Sequence, residues 1–388
     1  MADLFTSQDL VDAACRETGH EDFGADAWRD GLEVILDSAA REAELNSIGR
    51  EILRGWIHRR LVNRLRVIDW VAAHPEVRRE RIERPLVILG MLRTGTTILC
   101  ELLACDPANR PLMKWEGLDC CPPPRTENFR SDPRIRAMVD EMEGTYQAVP
   151  DLKAIHFEPG DGPTECVALL GQAFRSQDWL GLFHVPSYVS WYHACDMEPA
   201  YTYHRLVLQL LQSRAPGRWS LKAPGHMLAL DALFAVYPDA RLIVTHRDPV
   251  KTVASSASLS FTSRPGSLST LDLGDYFGPL WLQINAIMVE RMMDFRARNR
   301  AKDAEHFFDL HYGDFARDPI ASVLRIYEHF GEVLSSDAET AMRAHLDAHP
   351  KGQYGAHHYS LEDVGLAPEQ VKERFSAYSA RFGVESEE

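Results

Sequence analysis

Arg84-Pro85-Leu86-Val87-Ile88-Leu89-Gly90-Met91-Leu92-Arg93-Thr94-Gly95-Thr96-Thr97-Ile98-Leu99-Cys100-Glu101-Leu102-Leu103 changes character twice within twenty residues. After Pro85, Leu86 to Leu89 is continuously apolar and partly β-branched, the pattern of a parallel strand buried on both faces. Gly90 and Gly95 then bracket four residues. From Thr96 onward Ile98, Leu99, Leu102 and Leu103 share one helical face. The reading is strand, tight loop, helix. The first N–H groups of such a helix have no partner within it, and the positive end of its dipole lies behind them, so the loop suits a phosphate or sulfate. Gly-x-x-x-x-Gly followed by Thr97 copies the nucleotide phosphate loop, except that Thr96 stands where an ATPase carries its Lys. The cation sits inside the loop instead, as Arg93. Without the Lys that reaches the β and γ phosphates, ordinary ATP or GTP hydrolysis is disfavoured.

The chain has 388 residues, 45% of them hydrophobic, enough for a large core. Its net charge of −15 speaks against non-specific nucleic-acid binding, which needs a basic footprint. Anion binding must come from local charge. Met1 to Gly19 contains no apolar run of the secretory type, and no stretch approaches the length of a membrane helix. The seven cysteines, at 15, 100, 105, 120, 121, 166 and 195, show neither paired spacings nor C-x-x-C. They read as reduced thiols in a cytoplasmic protein.

Residues 1 to about 80 carry apolar residues near a 3.6 period and are expected to form a helical extension packed on a larger domain over 81–388. Within them His58-Arg59-Arg60, Arg64 and Arg66 read as a solvated helix face. The Pro-rich region 106–165 is expected to be an irregular wall over the central loop. It ends in His156-Phe157-Glu158-Pro159-Gly160-Asp161-Gly162-Pro163-Thr164-Glu165-Cys166, a His and three carboxylates among turn formers. Glu165, leading into a helix, is either a dipole partner or a catalytic group. His156 is either a hydrogen-bonded loop residue or a second catalytic candidate.

Further on, a helix over 201–214 precedes a strand at Arg218–Lys222, a turn through Ala223-Pro224-Gly225-His226 and a helix over 227–236. A strand ending at His246, the turn Arg247-Asp248-Pro249 and another helix follow. This βαβα succession makes the strands parallel and brings Lys222, His226 and Arg247 to their carboxyl ends, where doubly wound sheets bind ligands. The fold class is α/β: a phosphate-loop type parallel sheet flanked by helices, with an N-terminal helical extension.

The sequence resembles the sulfotransferases that use 3′-phosphoadenosine 5′-phosphosulfate, especially their bacterial branch. Arg93-Thr94-Gly95-Thr96-Thr97 looks like the family's 5′-phosphosulfate loop. Arg247 and Ser255, eight residues apart after a strand, look like its 3′-phosphate site. Lys222 matches the family Lys that touches the bridging and sulfuryl oxygens. In cytosolic members the catalytic His comes two residues after that Lys; here His226 is four residues on. His311-Tyr312-Gly313-Asp314-Phe315-Ala316-Arg317-Asp318-Pro319 and its following helix are similar to a later family segment. Lys351, Gly352 and Tyr354 lie in a stretch that resembles the loop closing over the nucleotide. The likeness runs from 85 to about 380 and is strongest at the two phosphate motifs.

The resemblance implies sulfuryl transfer to a hydroxyl or amine of a small-molecule acceptor, with 3′-phosphoadenosine 5′-phosphosulfate as co-substrate and no metal. Such a transfer asks the protein to align the reactants and neutralise charge on the leaving phosphate, a task suited to Lys222, Arg93 and the loop N–H groups. The acceptor needs a base within reach, and Glu165, His156 and His226 are the candidates. Glu165 ranks first because partial desolvation raises a carboxyl toward neutrality. Aromatic residues between 174 and 204, among them Trp179, Phe183, Tyr188 and Tyr192, are either ordinary core or the lining of an apolar acceptor pocket. A phosphate-loop nucleotide kinase, a non-catalytic nucleotide-binding protein of the same fold, and a homo-oligomer all stay open.

Overall fold

The computed structural model describes residues 5–263, 273–350 and 360–387. Among these the strands are β1 (Leu86–Gly90), β2 (Asn109–Pro111), β3 (Arg218–Lys222), β4 (Arg241–His246) and β5 (Phe307–His311). They pair in parallel in the order β2-β3-β1-β4-β5, with Leu86 opposite both Ser220 and Arg241. The opening stretch thus supplies the central strand. Its continuous apolar run has a direct cause: Leu86 and Ile88 pack into one core cluster and Val87 and Leu89 into another, one on each face of the sheet.

The helices used below are α1 (Ser7–Thr18), α2 (Trp28–Glu42), α3 (Ser47–Ala73), α4 (Thr96–Ala104), α5 (Pro133–Ala148), α6 (Glu198–Gln212), α7 (Leu230–Val236), α8 (Pro249–Ser263), α9 (Gly278–Arg298), α10 (Pro319–Phe330) and α11 (Ser376–Phe382). The N-terminal helices are present, and Leu10, Ile35, Leu61 and Leu65 belong to the same cluster as Val87 and Val244. α3 is buried through its middle, from Arg60 to Leu65, which corrects the expectation of a solvated basic face at Arg60 and Arg64, while His58, Arg59 and Arg66 stay partly exposed. Arg60 pairs with Asp178, and Arg64, only 3% exposed, donates to the carbonyls of Phe23, Ala25 and Gln172. Burial pulls the Arg64 guanidinium down to about 10. These arginines bury their stems and spend their heads on carbonyls and a carboxylate, as an interior cation must.

The wall over 106–165 is more regular than its prolines suggest, because it holds α5, 16 residues long. Pro133 stands at the first helical position, where no N–H is needed, and the Asp132 carboxylate accepts from Arg134 N. Of the aromatic residues of 174–192, Phe174, Trp179, Phe183, Tyr188 and Tyr192 lie in the main core cluster, and Trp191 is partly buried against it.

Candidate active site

β1 ends at Gly90 with φ of +155°, and a Cβ there would lie 2.2 Å from Thr245 Oγ1 on the adjacent strand. Only glycine lets the loop leave so close to β4. Thr94 Oγ1, buried, lies 2.7 Å from the Met91 carbonyl, to which it donates, and 2.5 Å from Thr245 Oγ1. Those bonds tie the loop to β4 from inside. Arg93 and Gly95 take the left-handed region at +67° and +90°, turning the chain so that Thr96 opens α4. Here the first helical N–H groups face the loop concavity, the arrangement that favours a bound anion.

Lys222, the last residue of β3, is 2% exposed. Its Nζ donates to Thr97 Oγ1 at 3.3 Å and lies 3.2 Å from Glu165 Oε1. Burial pulls its pKa down, but the carboxylates of Glu165 and Glu158 outweigh burial and leave it raised, so Lys222 stays a cation. Glu165 does not stand in a helical first turn; it precedes the short helix Val167–Leu170, placed by the hydrogen bond from Cys166 N to the Lys222 carbonyl at 2.8 Å. It forms an ion pair with Lys222 instead of capping a helix.

A second pair lies beside the first. Glu158 holds Lys114 with one carboxylate oxygen and His156 Nε2, at 3.1 Å, with the other. Burial pushes its carboxyl up, yet Lys114 and His156 outweigh this and hold it well below the usual range. Tyr146 OH clamps its backbone, accepting from Glu158 N at 2.7 Å and donating to its carbonyl at 3.0 Å. Lys114 was missed by sequence reasoning, and Glu158 was collected among the carboxylates of 156–166 without a role. Glu158 had one signal, its place two residues after His156; Lys114 had none.

His226 follows the turn after β3 but points into the protein, 1% exposed, with Nδ1 2.7 Å from Tyr201 OH. Burial pulls its imidazole down to about 3. Beyond β4, Arg247 Nη1 donates to the Arg93 carbonyl at 2.8 Å, joining the two phosphate motifs, and its guanidinium lies 4.0 Å from the Tyr312 ring centroid. Ser255, in α8, is buried, and its Oγ has no hydrogen-bond partner among the described residues. Lys351, Gly352 and Tyr354 lie outside the described residues.

The sheet edge therefore gathers Arg93 to Thr97, Lys222 with Glu165, and Arg247, defining an α/β protein of phosphate-loop type. The family model described as Sulfotransferase family matches residues 85–336, and the chain belongs to that family. It is similar to the crystal structures of two sulfotransferases. STF1 from Mycobacterium tuberculosis is 36% identical, with a TM-score of 0.86 over 97% of this chain and 100% of that one. STF9 from Mycobacterium avium is 35% identical, with a TM-score of 0.91 over 99% and 98%. It is also 22% identical to the omega-hydroxy-beta-dihydromenaquinone-9 sulfotransferase Stf3 of Mycobacterium tuberculosis, over 81% of this chain and 77% of that protein. The protein is a sulfotransferase by family.

Proposed function

We propose that this sulfotransferase moves a sulfuryl group from 3′-phosphoadenosine 5′-phosphosulfate to a hydroxyl of a small acceptor with an apolar body. The observation that carries the reading is Lys222, a buried and permanently charged ammonium bridging Thr97 of the phosphate loop and Glu165. The residues present fit the donor. The loop N–H groups and Arg93 suit its 5′ end, and the unpartnered buried Oγ of Ser255 with the fork of Arg247 suits its 3′-phosphate. The hydroxyl-bearing lipid in the name of Stf3 supports an acceptor of that class. A cytoplasmic location is part of this proposal, supported by seven cysteines that are all free thiols. No helix among the described residues is long and apolar enough to cross a membrane.

The donor supplies an activated sulfuryl group; the chain supplies position and charge. Lys222 keeps a proton at Nζ, aimed by Thr97, that meets the negative charge developing on the leaving phosphate. It cannot serve as the base. His226 is set aside too, since an imidazole pulled to about 3 takes up a proton poorly at neutral pH. The acceptor's proton falls to Glu165 or His156. Of these His156 is oriented by Glu158, whereas Glu165 is already committed to Lys222. We also propose that residues 1–80 and 81–388 are the extension and the catalytic domain.

Thermal shift with adenosine 3′,5′-bisphosphate against ATP with Mg, followed by transfer of labelled sulfate into organic-extractable alcohols, tests the reading. Stabilisation by the bisphosphate alone, with donor-dependent labelling, is expected. Stabilisation by ATP with Mg alone would sink it and revive the kinase.

A further inference from the structure

The edge of Arg247 that a phosphate would use is engaged by this chain itself. Nε donates to Glu387 Oε1 at 2.8 Å and Nη2 to Oε2 at 2.8 Å, a bidentate fork. The backbone around the carboxylate is fixed as well: Glu387 N donates to Asp248 Oδ2 at 2.8 Å. The pair is mostly screened from water, with the Arg247 side chain 17% and the Glu387 side chain 33% exposed.

The path of the chain explains how the carboxylate arrives there. α11 docks on the end of β4, with Tyr378 OH 3.0 Å from His246 Nδ1 and the Phe382 ring stacked on the His246 ring at a centroid distance of 4.5 Å. Gly383, with φ of +62°, then ends the helix and turns the chain back, and Val384 N bonds the Ser379 carbonyl. Residues 384–387 run from that anchor to the turn after β4. Arg247 meanwhile gives Nη1 to the Arg93 carbonyl. Its Nε–Nη2 edge cannot serve a carboxylate and a phosphate at once.

We propose that Glu387 is a built-in competitor for the 3′-phosphate subsite, a tail that donor must displace to bind and that returns as the spent nucleotide leaves. The proposal rests on the donor reading above. Seating of the tail lowers the fraction of molecules open to nucleotide, and apparent affinity falls by that same fraction. The competition is confined to the 3′ end, so a nucleotide without a 3′-phosphate escapes it.

Calorimetric titration of the full chain with adenosine 3′,5′-bisphosphate and with adenosine 5′-monophosphate, on wild type, Glu387→Gln, Arg247→Ala and the double variant, tests this. For Glu387→Gln we expect roughly three- to tenfold tighter binding of the bisphosphate, the effect of freeing one partly buried fork, and no change for the monophosphate. Arg247→Ala should weaken the bisphosphate, and adding Glu387→Gln to it should change nothing further. If Arg247→Ala weakens the bisphosphate but Glu387→Gln binds it no tighter than wild type, the competitor is overturned while the donor reading stands. If Arg247→Ala leaves the bisphosphate unchanged, both fall.

Discussion

Lys222 and Arg247 stand at the ends of the two strands that flank β1, and each meets a carboxylate, but the two carboxylates are held in opposite ways. Glu165 is placed by the sheet, through the bond from Cys166 N to the Lys222 carbonyl, and Glu158 beside it is fixed by Lys114, His156 and Tyr146. Glu387 comes from a short segment beyond the last helix. One end of the site is held from several elements; the other, on the proposal above, is closed by a segment that leaves when donor binds. Sulfuryl transfer asks for this division, because charge must be fixed where bonds change and exchangeable where the nucleotide enters and departs.

The largest effect should come from the fixed end. Lys222→Met keeps the buried volume and removes the charge, and we expect kcat to fall roughly 100- to 1000-fold, as when one preorganised donor to a developing anion is lost. Steady-state kinetics with varied donor would check it. A rise in KM at unchanged kcat would break the comparison by making Lys222 a binding group like Arg247.

Next in size is the second pair. Glu158→Gln leaves Lys114 charged and buried without its partner, at a cost of about 3 kcal/mol in folding stability read by denaturant titration. Lys114→Met combined with Glu158→Gln should recover part of that loss. At the exchangeable end, Arg247→Lys turns a planar fork into a point charge, and adenosine 3′,5′-bisphosphate should bind about tenfold more weakly, or about 1.5 kcal/mol. Stability of that variant should fall by about 1 kcal/mol at most, since the guanidinium also holds the Arg93 carbonyl and lies over Tyr312.

What could be read from the chain alone follows the same division. The strand, loop and helix of 85–103 were legible because each signal is local: an apolar run, two glycines and a 3.6 period. Lys222 and Arg247 were legible as strand ends in a βαβα succession. Glu165, the partner of Lys222, was picked out as a residue but not as that partner, and the pairs Lys114–Glu158 and Arg247–Glu387 were not legible, because they form across distances in sequence that no periodicity spans. The basic run of α3 misled at Arg60 and Arg64 for a related reason. Charge spacing on a helix indicates a solvated face only if nothing covers it, and Asp178 and the carbonyls of 23, 25 and 172 cover Arg60 and Arg64. His226 was legible as a residue near a strand end, but its inward direction depends on Tyr201 of α6.

That inward direction gives the smallest test. His226 and His204 are both buried, with each Nδ1 2.7 Å from a tyrosine hydroxyl, and burial pulls each from the ordinary 6.5 to about 3. The folded protein therefore resists protonation there while the unfolded chain accepts it. The stability each contributes is fully present above pH 6.5 and is lost as pH falls toward 3. Between pH 8 and pH 6 each histidine should cost the fold about 0.8 kcal/mol. His226→Asn should flatten the slope of unfolding free energy against pH by that amount, whatever it does to stability at pH 8. An unchanged slope would mean that His226 takes up its proton in the folded state. The turn after β3 would then be as adaptable as the one after β4, and His226 would return as a candidate for the acceptor's base.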